Sequence, residues 1–171
     1  FRITSDIEKP VSCIIGGSKI STKIKVITNL AKNYDIGLIE DNCEAIGSKI
    51  DNKYCGTIAD IGVLSFDHGK MIACGEGGMV LTKKKKYAEF VRQYRDHGHE
   101  NNPNFPRWED TRSSSGFNYR MMELQGAIGL AQLKKLDSII KSQRKNKLLL
   151  WESICDLNFV EAREIPKGSY E

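Results

Sequence analysis

Two short, β-prone apolar runs, held apart by a helix-length interval, constrain this chain more than any other feature. Val11-Ser12-Cys13-Ile14-Ile15 stops at Gly16-Gly17, and Ile36 to Ile39 stops at Glu40-Asp41. A tight hairpin joins antiparallel neighbours, whereas a parallel pair needs a crossover of a dozen residues or more. The interval suits such a crossover. Ser21 or Thr22 can cap a helix that runs to about Lys32, with Ile24, Ile27, Leu30 and Ala31 on one face. The expectation is a βαβ unit of two parallel, buried strands, with Asp41 just past the second.

The same reading continues down the chain. Asp51-Asn52 marks a turn, Ile61 to Phe66 a strand, and Met79 to Thr82 another strand after the cluster Gly75-Glu76-Gly77-Gly78. A helix is expected over about Lys85 to Tyr94. The polar stretch from His97 to Gly116 contains Pro103 and Pro106 and has no period, which marks a long functional or disordered loop. Two further helices are expected, from Tyr119 to about Leu136 and from Asp137 to Ile154. The first would bury Met122, Ala127, Leu130, Ala131 and Leu133. The class is α/β.

Composition excludes several functions. With 171 residues, 40% of them hydrophobic and 28% charged, the chain can bury a core and is neither disordered nor fibrous. A net charge of +4 suits an anionic ligand without pointing to nucleic acid. The longest basic run, Lys83 to Lys86, reads as a solvated helix start. The five cysteines form no CxxC pair, so reduced thiols in a cytoplasmic protein are expected, without a disulfide framework or a metal site. His97-Gly98-His99-Glu100 lacks an obvious third ligand. No apolar run is long enough to span a membrane. The start of the chain lacks both a methionine and signal-peptide character, as a fragment would.

Familiar motifs fail on spacing. Gly69-Lys70 is followed by Met71 and has Leu64 where a P-loop needs glycine, and Gly75-Glu76-Gly77-Gly78 lacks the last glycine of GxGxxG. Nothing matches the GxSxG of a serine hydrolase. Two residues stand out instead: Asp41, at the carboxyl end of a strand where open α/β sheets place their ligands, and Lys70, between a strand and a glycine-rich turn. Taken singly, either could be an ordinary turn residue or a solvated charge.

Together with their surroundings they resemble a known family. The matching text is Leu38-Ile39-Glu40-Asp41-Asn42-Cys43-Glu44-Ala45-Ile46-Gly47-Ser48, then Gly56 to Gly62, Ser65-Phe66-Asp67-His68-Gly69-Lys70, Gly75 to Met79, and Gly116-Phe117-Asn118-Tyr119-Arg120-Met121-Met122-Glu123-Leu124-Gln125. In order and spacing this resembles the DegT/DnrJ/StrS sugar aminotransferases. The resemblance implies the large domain of a type I pyridoxal-phosphate-dependent transferase, incomplete here, with a mixed, mostly parallel sheet and flanking helices over residues 35–171. It implies pyridoxal 5′-phosphate as cofactor, Lys70 as the Schiff-base and proton-transfer lysine, and Asp41 on the pyridine nitrogen. Ser65 would contact the cofactor phosphate, and Asn118 the phosphate in a neighbouring subunit of a homodimer. Glu44, at a position where many members have Gln, would lie near the ring. Lys70 also separates the chain from the family's dehydratases, which have histidine there. Ala73-Cys74 replace the threonines usual before the glycine turn. Glutamate is the implied amino donor. The run Asp96 to Pro103 resembles a branch that aminates an 8-oxo form of 3-deoxy-octulosonate (Kdo), with perosamine-type enzymes on nucleotide-linked keto-sugars as the other choice.

The first 34 residues carry a second resemblance. Lys9 to Lys23, running on to Asn29-Leu30, resembles a strand, loop and helix of phosphoglycerate kinase, in which Gly17, Lys19 and Lys23 would face a nucleotide phosphate. A seam is then expected near Lys32 to Asp35. Three functions follow: an aminotransferase, a phosphoglycerate kinase fragment, or a catalytically silent chimeric or truncated remnant. The upstream phosphate loop and ring-stacking aromatic of the family are not in the sequence, so this chain alone is expected to turn over little.

Overall fold

A computed structural model describes residues 11–15, 24–162, 165 and 167–170, with side chains from Ile24 onward. Its central sheet has the order β1-β2-β5-β6, formed by β1 (Val11–Ile15), β2 (Gly37–Asp41), β5 (Ile61–Ser65) and β6 (Gly78–Leu81). A small second sheet, β4-β3-β7, comprises β3 (Lys49–Ile50), β4 (Lys53–Tyr54) and β7 (Ser169–Tyr170). The helices are α1 (Ile24–Asn33), α2 (Lys85–Tyr94), α3 (Glu123–Leu133) and α4 (Leu136–Ile154).

The expected βαβ unit is present: β1 and β2 are parallel, with Val11 opposite Gly37 and Ile15 opposite Asp41, and α1 lies between them in sequence. Helix α1 ends in a left-handed turn. Asp35 has φ +54°, and the Ile36 N–H returns to the Ala31 carbonyl at 2.8 Å, a Schellman closure that aims the chain into β2. Strand β2 runs on to Asp41, past the expected end at Ile39, because β1 and β5 both pair with its last residues. Strand β5 is parallel to β2, and β6 returns antiparallel to β5, so the sheet is mixed and mostly parallel.

Strand β2 is not buried on both faces as expected. Leu38 and Glu40 are buried while Ile39 and Asp41 are half-exposed, the alternation of a strand covered on one side. The covered face packs Leu38 with Ile24, Ala31 and Ile50, and with Cys55, Ile58 and Ala59 of the segment crossing it. Gly62 lies under that segment, where a Cβ would run into the Gly56 carbonyl. A second cluster, Phe66, Ile72 and Cys74, receives Leu136 and Ile139 from the start of α4.

Two other expectations are corrected. Helix α3 starts at Glu123 rather than Tyr119, because the backbone of 117–119 is bonded to the end of α2: the Phe117 N–H donates to Tyr94 O and that of Tyr119 to Arg95 O, both at 2.8 Å. Its apolar face is not buried among the described residues, and Met122 and Leu130 stay 62% and 66% exposed. Asp51 and Asn52, with φ +45° and +63°, do form a turn, and it closes the β3–β4 hairpin.

Candidate functional site

The site grows from the carboxyl edge of the two central parallel strands. Asp41 ends β2 and pairs with Val63 on β5. Parallel partners project from the same face and side chains alternate along a strand, so Ser65 shares the face of Asp41, while Glu40 points to the opposite, covered face. Asp41 Oδ1 accepts the Cys43 N–H at 3.2 Å, and Ser65 Oγ accepts the Asp67 N–H at 3.3 Å. Each side chain thus caps the turn that leaves its own strand.

Lys70 sits in the turn after β5, its backbone N–H bonded to Asp67 O at 2.9 Å. Its ammonium forms an ion pair with Glu44, and this bond, above all, raises the Lys70 pKa from its ordinary value. The Cys43 thiol reports on the same neighbourhood. Burial first, then the Asp41 carboxylate, push it up to about 11, while Lys70 acts on it in the opposite direction. Asp41, Glu44, Ser65 and Lys70 therefore lie at one end of the sheet; a cavity of about 310 Å³ there is lined by Glu44, Met71 and Arg144 among others, and not by Asp41, Ser65 or Lys70.

Asn118 belongs to a different ensemble. No hydrogen bond among the described residues ties it to Asp41, Ser65 or Lys70. It is exposed, and its Oδ1 accepts Arg120 Nε at 2.9 Å. Gly17, Lys19 and Lys23 lie outside the described residues.

Sequence reasoning missed the carboxylates that hold this edge in place. Glu40 is buried, and its Oε2 accepts the Gly56 N–H at 2.7 Å. Its Oε1 accepts those of Ile58 and Ala59 at 2.7 and 2.6 Å. Asp60 Oδ2 accepts the Leu38 N–H at 2.9 Å, and Asp60 also pairs with Lys84 at 2.6 Å, so one lysine of the basic run is structural. Gln125 fastens α3 to the glycine turn: it accepts the Met122 N–H at 2.9 Å and donates to Glu76 O at 2.8 Å. Glu40 directly follows the apolar run, so the sequence alone does not distinguish it from a strand-end charge; its burial does, since a buried charge must find partners.

The polar stretch 97–116 is ordered by a second set of charges. Asp96 takes two bonds from Arg107, at 2.8 and 2.5 Å. Buried His99 meets Asp110 through Nδ1 at 3.1 Å and receives Arg112 Nε at Nε2 at 3.3 Å, so neither ring nitrogen is free for a metal. Asp67, His68 and Glu76 bring one potential ligand atom each within 4.8 Å of one another. Asp67 and His68 lie on the turn after β5 and Glu76 on the glycine turn before β6, and His68 already bonds Asp67 at 2.8 Å.

The mixed, mostly parallel sheet with its flanking helices is part of the large-domain fold of type I pyridoxal-phosphate-dependent transferases. Residues 13–169 match the DegT/DnrJ/EryC1/StrS aminotransferase family, and the chain belongs to it. The match begins inside β1, so α1 and the expected seam both fall within it. GDP-perosamine synthase of Escherichia coli O157:H7 is 40% identical over 119 residues, covering 70% of this chain and 31% of that protein. A Helicobacter pylori aminotransferase involved in the biosynthesis of pseudoaminic acid superposes with TM-score 0.76 at 29% identity, over 86% of this chain and 38% of that one. The E. coli GDP-4-keto-6-deoxy-D-mannose-3-dehydratase with bound hydrated pyridoxal phosphate gives 0.79 at 26%, over 96% and 45%. The chain spans about a third of the length of the curated relatives it matches. Among the described residues, no helix is long and apolar enough to cross a membrane.

Proposed function

We propose that this chain is part of a pyridoxal-phosphate-dependent aminotransferase that transfers an amino group from glutamate to a keto-sugar, as a homodimer in the cytoplasm. The observation that carries this reading is the gathering of Asp41, Glu44, Ser65 and Lys70 at one strand edge. The donor set fits the cofactor: an anion for a pyridinium, a primary amine for an aldehyde, and a hydroxyl for a phosphate. When bound, pyridoxal phosphate supplies an electron sink for the bond broken at the amino donor's α-carbon.

The chain's own residues do the rest. The Asp41 carboxylate keeps the ring nitrogen protonated. Lys70 Nζ would hold the cofactor and would serve as the group that moves the proton to and from the amino donor's α-carbon. Taking up a proton needs the neutral amine and delivering one needs the ammonium, and the ion pair with Glu44 favours the ammonium. Ser65 Oγ and, across a dimer, Asn118 Nδ2 would donate to the phosphate.

The similarity to GDP-perosamine synthase favours a nucleotide-linked keto-sugar, with an 8-oxo-Kdo-like sugar as the second choice. The division of the chain at residues 34 and 35 is likewise a proposal, about the origin of the first βα unit. The kinase reading rests on the run Lys9 to Leu30, with Gly17, Lys19 and Lys23 as its phosphate-facing residues, and gains nothing from the comparisons.

A chimera tests the assignment: residues 35–171 replace the matching stretch of the E. coli perosamine enzyme, and amino transfer from glutamate is assayed. Transfer abolished by Lys70→Ala is the expected result. A Lys70→Ala chimera as active as its parent would refute the role of Lys70.

A further inference from the structure

Arg120 stands between a buried carboxylate and the Asn118 side chain. Its Nε donates to Asn118 Oδ1 at 2.9 Å and lies 3.5 Å from Asp96 Oδ1. Asp96 is 4% exposed and is already held by the paired bonds from Arg107. The main chain is fixed as well. Asp96 and Asn118 face each other in an antiparallel bridge, and the His97 N–H donates to Phe117 O at 3.0 Å.

A guanidinium has donors and no acceptor, so the amide atom facing Arg120 must be the oxygen. That commits the other end of the amide, Nδ2 with its two N–H groups, to the outward side, where it has no hydrogen-bond partner among the described residues. An unclamped asparagine would present oxygen or nitrogen with similar ease, and oxygen repels an anion. Two guanidiniums against the one Asp96 carboxylate also leave a net positive charge behind Asn118.

We infer that Arg120, anchored by Asp96, is a positioning residue that locks the Asn118 amide as a pure donor toward a phosphate oxygen. The inference rests on the reading above, in which Asn118 meets the cofactor phosphate.

The test compares the affinity of the chain for pyridoxal phosphate and for pyridoxal, which lacks the phosphate. Wild type, Asn118→Ala, Arg120→Gln, Arg120→Lys and the Asn118→Ala/Arg120→Gln double variant are measured, each checked for folding by circular dichroism. The preference for the phosphorylated form should fall roughly fivefold in Arg120→Gln, the scale of one hydrogen bond. Arg120→Lys, which keeps a donor, should restore part of it. The double variant should be no worse than Asn118→Ala alone, since Arg120 acts only through Asn118. A wild-type chain without preference, or an Asn118→Ala variant that keeps it, would sink the phosphate reading and this inference together. If Asn118→Ala loses the preference, two results would overturn the positioning role alone. Arg120→Gln could keep the preference, or the two losses could add in the double variant.

Discussion

Replacing Glu40 should unfasten the edge that carries Asp41, and the hydrogen bonds set the size of the effect. One carboxylate oxygen serves Gly56, and the other serves both Ile58 and Ala59. A hydrogen bond to a charged group contributes about 1.5–3 kcal/mol, and the three here are not additive, since they share one side chain. Two of them lie where water can reach in part, which lowers their loss. Glu40→Ala should therefore cost about 4 kcal/mol, out of a total of roughly 5–15 kcal/mol for a typical domain. Glu40→Gln is the sharper probe. Its single oxygen can still serve Ile58 and Ala59, but its NH2 then faces the Gly56 N–H, donor against donor. We expect a loss of about 2 kcal/mol for that variant, intermediate between wild type and alanine. Urea unfolding followed by circular dichroism gives both numbers, provided the slope with denaturant is unchanged. An alanine variant within about 1 kcal/mol of wild type would refute the reasoning, because three N–H groups cannot be stranded so cheaply.

Two further outcomes are expected. Arg107 first, then the other positive groups around it, hold the Asp96 carboxyl below the ordinary carboxylate range. A group lowered in the folded state stabilises fully above its unfolded pKa, about 3.9. The stability difference between wild type and Asp96→Asn should thus be complete at neutral pH and shrink as pH falls below that value; a difference independent of pH down to acid unfolding would contradict this. Burial, as the largest cause, pushes the thiols of Cys43 and Cys55 up to about 11, so at pH 8 only about one in a thousand of each is thiolate. Iodoacetamide mapping should find exposed Cys155 alkylated well before either, and equal rates would show both sites to be open.

Much of the fold was legible because it follows from local pattern. The β1–α1–β2 unit, β5, β6 and α2 are set by short apolar runs, glycine stops and helical spacing, and each lies within a few residues of its expected place. What failed depended on contacts distant in sequence. Nothing within Phe117 to Met122 says that its backbone is already pledged to Tyr94 and Arg95. The 97–116 stretch has no period because it is ordered by side-chain pairs such as Asp96 with Arg107 and His99 with Asp110, which a periodic reading does not detect. Strands β3, β4 and β7 have two residues each, too few to show alternation. In the site, Asp41 and Lys70 stood out by position on a strand end and a glycine turn. Glu40 and Arg120 did not, since their importance lies in which atoms they face.

The central claim is that Lys70, and no other lysine, carries the cofactor. Incubation of the chain with pyridoxal phosphate, borohydride reduction and peptide mapping tests it directly. The account predicts a pyridoxyl group on the Lys70 peptide that disappears in Lys70→Ala and weakens in Asp41→Ala. Label spread over exposed lysines such as Lys83, Lys85 and Lys86, unchanged by Lys70→Ala, would contradict it.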